Sequence, residues 1–168
     1  MNRSALRSPE SKVKSMEDLR SLIAQARRRR QTVVFANGCF DLMHVGHVRY
    51  LEGAKAQGDI LVVGVNSDES VGELKGAGRP LQSAADRAEI LASFECVDYV
   101  TVFHDATVDR LLRELKPDVH AKGTDYTRES VPERETVRSY GGKVAIVGDA
   151  KSHSSRDLIT SILAKFRR

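Results

Sequence analysis

The strongest constraint on the fold is a series of five short apolar runs rich in valine and isoleucine. They occupy residues 32–35, 60–65, 99–103, 119–121 and 144–147. The runs are continuous rather than alternating, which is typical of strands buried on both faces of a parallel sheet. Segments with helical character fill the gaps, at residues 46–57, 83–94, 107–116, 132–140 and 155–166. This alternation predicts an α/β fold: a doubly wound, five-stranded, mainly parallel Rossmann-like sheet with helices on both faces.

A basic segment precedes the first strand. Residues 1–30 hold nine lysines and arginines against three acids, while the whole chain has a formal charge of +4, so the body is close to neutral. We expect residues 1–14 to be a disordered leader, residues 15–30 an amphipathic helix and residues 31–168 one domain. The arginine quartet at 27–30 could bind nucleic-acid phosphates nonspecifically, or it is a solvated helix end where cations suit the helix dipole. We favour the helix end and expect no specific nucleic-acid partner.

Composition and patterning exclude several other classes of protein. No run of about 18 uncharged apolar residues exists, so no transmembrane helix is expected. The first 30 residues lack the apolar block of a secretory signal. Two cysteines, Cys39 and Cys96, have neither disulfide-scaffold nor metal-site spacing. We therefore expect a cytoplasmic protein with reduced thiols and no membrane partner.

One segment concentrates the unusual polar chemistry at the place where doubly wound sheets bind ligands, beyond the carboxyl ends of the strands. Residues 37–47 read Asn-Gly-Cys-Phe-Asp-Leu-Met-His-Val-Gly-His. They follow a buried strand and open a helix, so their N–H groups can point at an anion. Gly38 and Gly46 allow close approach of a ligand, and the spacing of His44 and His47 places both on one helix face. Either histidine alone would suggest an ordinary turn residue, but together with the glycines they predict a phosphate site.

The motif His44-Val-Gly-His47 resembles the HxGH signature of the cytidylyltransferase-like nucleotidyltransferase superfamily. Further matches narrow the resemblance to its heptose 1-phosphate adenylyltransferase branch, the ADP-heptose synthase domain, over residues 32–165. These matches are Asn66-Ser67-Asp68, Leu74-Lys75-Gly76, Arg79-Pro80, Asp86-Arg87, Val97-Asp98, Lys122-Gly123-x-Asp125-Tyr126 and Ser154-Ser155. The resemblance implies that residues 31–168 form a nucleotidyltransferase domain, which would transfer AMP from ATP to D-glycero-β-D-manno-heptose 1-phosphate. The products would be ADP-heptose, a precursor for lipopolysaccharide or another surface glycan, and pyrophosphate.

The resemblance also implies a homodimer, and a stand-alone version of an activity that many bacteria fuse to a sugar kinase domain. The partners it implies are ATP and a sugar 1-phosphate, and the cofactor is Mg²⁺. The attacking phosphate monoester has a second pKa of about 6 and is already mostly dianionic at pH 7, so no general base is required. The reaction instead needs two anions held in line and their growing charge neutralised.

The resemblance and this chemistry together assign roles to the site residues. His44, His47 and Lys75, the last in a Gly-rich loop at 74–78, are predicted to be catalytic through contacts with the transferring phosphates. Arg79 and Arg87 are predicted to bind the substrate phosphate, and Asp41 and Asp125 to hold Mg²⁺ directly or through water. The predicted nucleotide-binding residues are Asn37, Gly38, Cys39, Phe40, Gly46, Lys122, Gly123, Asp125, Ser154 and Ser155.

Two other functions and several plainer roles remain open. The chain could be a cytidylyltransferase acting on glycerol 3-phosphate or another polyol or sugar phosphate, since base choice depends on backbone contacts that sequence does not reveal. It could also be a non-catalytic nucleotide-binding regulator whose arginine quartet holds a partner. Lys75 could be an ordinary solvated lysine, and Ser154 and Ser155 could simply cap the last helix.

Overall fold

The computed structural model describes residues 8–150 and 153–166 of the chain. Its strands are β1 (Val33–Gly38), β2 (Ile60–Asn66), β3 (Tyr99–Phe103), β4 (Val119–Gly123) and β5 (Lys143–Val147). Its helices are α1 (Pro9–Lys12), α2 (Met16–Arg28), α3 (Val45–Lys55), α4 (Asp68–Lys75), α5 (Ala84–Ala92), α6 (Asp109–Leu115), α7 (Arg134–Ser139) and α8 (Ser155–Phe166). None of these helices is long and apolar enough to cross a membrane. The predicted α/β fold is confirmed, and all four strand pairings are parallel.

The strand order of the sheet is β3-β2-β1-β4-β5, so the first strand lies in the middle. The chain builds outward through β2 and β3 and then returns to the other side of β1 to add β4 and β5. The strand order therefore reverses between β1 and β4, whose carboxyl ends flank the point where ligands bind in such sheets. Helix α3 is tied across this point by the buried Tyr50 hydroxyl, which donates to the carbonyl oxygen of Ala121 in β4 at 2.9 Å.

Apolar side chains fill a core on each face of the sheet. Val63 packs on the face covered by α3 and α5, whose Leu51 and Leu91 are fully buried. Val62 points to the opposite face, where α2, α6 and α7 contribute side chains that include the fully buried Leu19. Because neighbouring strand residues face opposite sides, covering both faces requires the uninterrupted apolar runs seen in the sequence.

Residues 8–14, which were expected to belong to a disordered leader, are ordered in the structure. Lys12 Nζ donates to two carbonyl groups just beyond the end of α5, at 2.9 Å each. The backbone N–H of Lys14 donates to the carbonyl of Val100 at 2.8 Å. The segment thus pairs with the outer edge of β3, where it satisfies backbone groups that an edge strand leaves open. Residues 1–7 lie outside the described residues.

Part of the basic charge of α2 is used within the fold. Arg27 Nη2 donates to the carbonyl oxygens of Leu115 and Lys116, at 2.7 and 2.8 Å, and so caps the end of α6. Arg20 forms an ion pair with Glu114 at 2.6 Å. These contacts favour the helix-end interpretation for this part of the basic segment over a surface that binds nucleic acid.

Helix α4 corrects the expectation of a loop between β2 and α5. The Ser67 hydroxyl accepts from the N–H of Ser70 and begins the helix, and Gly76 ends it at a φ of +89°, a conformation that favours glycine. Lys75 is therefore the last residue of a helix, with an exposed side chain, and the loop begins only after it.

We expect Leu19→Ala to lower the free energy of unfolding by about 2–5 kcal/mol, because it leaves a cavity in the core beneath α2. Leu163→Ala on α8 is the matched control: its leucine is 53% exposed, so a loss below about 1 kcal/mol is expected. Urea unfolding at pH 7.5 measures both values. Equal losses would show that α2 is not part of the stabilising core.

Candidate active site

The loop between β1 and α3 is shaped by the buried ring of Phe40. Its backbone φ is +48°, which turns the chain sharply and directs the ring inward. The ring centroid lies 5.3 Å from that of His47, edge to face, and 6.4 Å from that of Tyr50, in a stacked arrangement. A Cβ at Gly38 would lie 3.1 Å from this ring. These contacts favour a supporting role for Phe40 and Gly38, which were predicted to contact the nucleotide. The Phe40 ring packs beneath His47, and Gly38 leaves room for that ring.

His44 and His47 stack on each other at the N-terminal end of α3, with ring centroids 3.8 Å apart. The backbone N–H of His44 donates to His47 Nδ1 at 3.4 Å. That nitrogen therefore carries no proton, and the neutral ring presents Nε2–H as a donor. A Cβ at Gly46 would lie 3.0 Å from the His44 ring, so the glycine makes room for the imidazole.

Both imidazoles are neutral at pH 7 in the free protein. Burial and, to a smaller extent, the neighbouring imidazole of His44 lower the pKa of His47 to about 4. Burial also lowers the pKa of His44, with a smaller contribution from His153 and an opposing one from Asp157. A bound polyanion would favour the charged form of each ring and raise both pKa values.

Asp41 is buried, and both of its carboxylate oxygens are occupied by protein donors. Oδ1 accepts from the N–H groups of Leu81 and Gln82 at 2.6 and 3.1 Å, and Oδ2 accepts from Arg79 Nε. The Asp41 side chain is 1% exposed. This arrangement favours a structural role over the predicted metal contact: Asp41 holds the segment after α4 against the β1–α3 loop.

The contacts of Arg87 likewise favour a structural role over the predicted contact with the substrate phosphate. Its Nε donates to the carbonyl of Gln82 at 3.0 Å, its Nη1 to the carbonyl of Cys39 at 2.6 Å and its Nη2 to Asp68 Oδ1 at 2.7 Å. The side chain is 0% exposed. The guanidinium therefore has no face open to a substrate phosphate, and Arg87 instead ties the β1–α3 loop, α4 and α5 together.

Lys75 lies close enough to the β1–α3 loop to act on it electrostatically. Burial raises the pKa of the Cys39 thiol, while the charges of Lys75, Arg87 and Arg79 lower it by smaller amounts. The structure thus brings Lys75 and Arg79 to the β2 side of the histidine pair. Cys39 itself is half-buried and is a free thiol.

A buried polar network occupies the carboxyl ends of β1 and β4. Asn37 Oδ1 lies 3.1 Å from His120 Nε2 and 3.5 Å from Lys122 Nζ. Because an ammonium can only donate, Oδ1 faces these two groups and the Asn37 amide NH₂ faces away from them. Lys122 Nζ also lies 3.5 Å from Glu133 Oε2. Lys122, predicted to contact the nucleotide, has a mostly buried side chain that orients Asn37.

The sequence analysis missed His120 and Glu133. His120 is fully buried, and the available signal was a titratable residue inside an otherwise apolar strand. Glu133 had no such signal, because it lies in a charged stretch immediately before the short helix α7, and only the fold brings it to Lys122.

Strand β4 ends at Gly123, and the loop after it carries the exposed Asp125. The Thr124 hydroxyl donates to the carbonyl of Asp149 at 2.5 Å, which joins this loop to the one after β5. Across residues 8–150 and 153–166, no three His, Cys, Asp or Glu side chains converge as a metal site would require. Mg²⁺ binding stays a prediction, and Asp125 fits it better than Asp41 does.

Ser154 and Ser155 fix the beginning of α8 beside the β1–α3 loop. The Ser154 hydroxyl donates to Asp157 Oδ2 at 2.6 Å and accepts from the Asp157 N–H at 3.1 Å, as a helix cap does. The Ser155 hydroxyl donates to the carbonyl of Leu42 at 2.9 Å. Both predicted nucleotide contacts therefore also have structural partners.

The fold and the site define a class: Rossmann-like α/β proteins with an HxGH motif where the strand order reverses. The sequence model of the cytidylyltransferase-like family matches residues 35–164. The chain belongs to the cytidylyltransferase-like family, and the predicted superfamily is confirmed.

Curated relatives and a solved structure agree with this placement. The chain is 47% identical over 159 residues, 95% of its length, to the bifunctional protein HldE of Syntrophotalea carbinolica. It is 47% identical over 157 residues, 94% of its length, to that of Geobacter metallireducens. These matches cover 32% of each relative, so the chain spans about a third of their length. The lipopolysaccharide core biosynthesis protein of Thermoplasma volcanium is similar in fold, with a TM-score of 0.63 and 25% identity over 72% of this chain and 99% of that one.

We expect the stability of the protein to decrease as the pH falls below about 6.5, in part because of His120. Burial, followed by the charge of Lys122, lowers the pKa of His120 from 6.5 to about 3. The unfolded chain then binds one more proton than the folded one between these values, so the contribution is complete above 6.5 and decreases below it. His120→Gln keeps a donor toward Asn37 but does not titrate. Between pH 7 and pH 5 the wild type should lose about 2 kcal/mol more unfolding free energy than this variant. Parallel losses in urea unfolding would contradict a buried neutral His120.

Proposed function

We propose that this chain is a nucleotidyltransferase that transfers AMP from ATP to D-glycero-β-D-manno-heptose 1-phosphate, giving ADP-heptose and pyrophosphate. The observation that carries the proposal is the stacked His44–His47 pair, held at a helix N-terminus beside the reversal of strand order. The motifs at the ends of β2 and β4 support the heptose branch of the family. So do the names of the relatives, one of which is a lipopolysaccharide core biosynthesis protein.

The histidine pair would act on the phosphates as hydrogen-bond donors. An oxygen of the sugar phosphate attacks the α-phosphorus of ATP and forms a new P–O bond. The bond from that phosphorus to the oxygen bridging the α- and β-phosphates breaks, and pyrophosphate leaves with the electron pair. Nε2–H of His47 is directed by the bond that its Nδ1 accepts, so it can donate to an oxygen whose charge grows during this step. Because the donor is already oriented, little reorganisation is needed when the charge develops.

The incoming sugar phosphate would bind on the β2 side of this pair. Lys75 ends α4 there with an exposed ammonium group, and Arg79 is held by Asp41 through Nε. A cation at this position screens the repulsion between the two anions and favours their approach. Arg87 would contribute by fixing the loop, since its own guanidinium is buried.

Mg²⁺ is proposed to enter as part of the substrate, bound to the phosphates of ATP. Magnesium keeps several waters and uses few protein ligands in such complexes. Asp125 is exposed, so its carboxylate could reach that water shell, whereas the carboxylate of Asp41 is buried. A homodimer and a cytoplasmic location belong to the same proposal.

Pyrophosphate release with a panel of substrates tests the function directly. The four nucleoside triphosphates are each paired with both anomers of heptose 1-phosphate, with glycerol 3-phosphate and with a hexose 1-phosphate. Release that requires ATP and the β-anomer of heptose 1-phosphate supports the proposal. Release with CTP and glycerol 3-phosphate would instead identify a polyol cytidylyltransferase, and nucleotide binding without release would identify a regulator.

Replacement of either site histidine should remove most of the activity. We expect His44→Ala and His47→Ala each to lower kcat by about 100-fold or more, since each loses a donor to the reacting phosphates. His104→Ala, at an exposed histidine after edge strand β3, is the matched control and should retain full turnover. Near-normal kcat in either site variant, with a wild-type circular dichroism spectrum, would overturn the assignment.

A further inference from the structure

The carboxylate of Glu133 is a buried charge that the proposed reaction does not use. Glu133 lies immediately before α7, and its side chain is 9% exposed. Its Oε2 lies 3.5 Å from Lys122 Nζ and has no hydrogen-bond partner among the described residues. A buried ion pair is often no more stabilising than apolar side chains of the same size. Stability alone therefore does not explain why this pair is present.

The ammonium of Lys122 is surrounded by three electron-rich groups of the protein. Besides the Glu133 carboxylate, Nζ faces Asn37 Oδ1 at 3.5 Å and the ring of Tyr126, whose centroid is 4.9 Å away. The contact with the ring is a cation–π interaction. An ammonium group has three donors, and three groups are available to them here. The positive charge of Lys122 is thus directed at protein groups rather than at a ligand.

Two of these groups lie where doubly wound sheets bind ligands. Asn37 and Lys122 are each the last residue but one of β1 and β4, the parallel neighbours between which the strand order reverses. Tyr126 belongs to the loop after β4 and is 36% exposed. The Asn37 amide NH₂ faces away from the ammonium, so it remains able to donate elsewhere. Lys122 therefore fixes a donor and an aromatic ring at the mouth of the candidate site.

We propose that Glu133 is a positioning residue of the nucleotide site. Its carboxylate keeps the Lys122 ammonium between Asn37 and Tyr126, and so holds the amide and the ring in place for the nucleoside part of ATP. Without the carboxylate, the buried ammonium has no counter-charge and turns toward solvent or toward the ligand. This inference rests on the proposed nucleotidyltransfer and adds to it a residue that lies outside the motifs of the sequence.

The test compares Glu133→Gln with the wild type and with Glu135→Gln, the same change at a glutamate whose side chain is 66% exposed. Isothermal titration calorimetry measures the binding of Mg·ATP and of AMP. We expect Glu133→Gln to bind both ligands about tenfold more weakly, because the affected contacts belong to the nucleoside part that they share. In pyrophosphate release, KM for ATP should rise similarly while kcat stays within about twofold of the wild type, the pattern of lost uniform binding. The control should match the wild type throughout.

Two further variants separate positioning from a loss of stability. Glu133→Asp keeps the charge and should recover part of the affinity. The double variant Lys122→Met, Glu133→Gln leaves no buried charge unpaired, so its urea midpoint should return toward that of the wild type. Its affinity for ATP should nevertheless stay about as weak as that of Glu133→Gln, because both residues act through the same contacts. Recovery of affinity together with stability would reduce Glu133 to a structural role and overturn the inference.

Other outcomes also overturn the inference. Tighter ATP binding in Glu133→Gln would show that the released ammonium of Lys122 contacts the phosphates. Unchanged binding of both ligands, or weakening confined to ATP, would likewise reject positioning of the nucleoside part. A failure of the proposed function is distinct from these results. A wild-type protein that binds ATP but releases no pyrophosphate rejects the transferase, while the two affinities still decide the role of Glu133. A wild type that binds neither nucleotide rejects both proposals.

Discussion

The candidate site depends on a column of four rings in contact, which runs from the sheet to the surface. Tyr50 is anchored at the bottom by its bond to Ala121, Phe40 packs on Tyr50, His47 packs on Phe40, and His44 packs on His47. Each ring fixes the plane of the next, so the position of the outermost imidazole is set by a contact with β4. The left-handed backbone of Phe40 carries a conformational cost, which the burial of its ring offsets. An arrangement of this kind holds donors in place before a ligand arrives.

Three acidic groups near the site form ion pairs with cations of the protein. Asp41 is paired with Arg79, Asp68 with Arg87 and Glu133 with Lys122. A buried carboxylate without a partner would be unfavourable in itself and would repel a polyphosphate. The pairing removes both effects. Two of the three cations, Arg87 and Lys122, are almost completely buried in their ion pairs and do not face solvent. The ammonium of Lys75 and the neutral imidazoles are then the donors that face solvent.

The fold could be predicted largely from the sequence because its strands are buried on both faces. The bounds of β3 and α8 agree with the predicted residues, and the site lies at the end of β1 as the position of residues 37–47 indicated. Helix α4 was missed because Gly72, Gly76 and Gly78 suggest a loop, whereas the Ser67 cap and a buried Val71 stabilise a helix. Residues 8–14 were missed because a polar segment gives no sign that a sheet edge will bind it.

The roles of individual polar residues were harder to predict than their location. Motif spacing predicted Asp41 and Arg87 to belong to the site, and the structure places both at the β1–α3 loop, but spacing could not show that every polar atom of the two side chains has a protein partner. That outcome depends on long-range geometry: Arg87 contacts a carbonyl 48 positions away and Asp41 an arginine 38 positions away. His120 and His153 carry no motif at all, and only the sheet order brings them to the end of β1. The sequence therefore indicates where the candidate site lies. Packing determines which of its residues hold the surrounding loops and which can contact a ligand.

The neutral state of the imidazoles follows from the same packing and has a mechanistic consequence. Two cationic rings with centroids 3.8 Å apart would repel each other strongly in a half-buried site, so the free protein keeps both uncharged. A triphosphate changes this balance, because its negative charge favours protonation of the rings that it contacts. The site would then gain positive charge only as the ligand binds, and lose it again when pyrophosphate leaves.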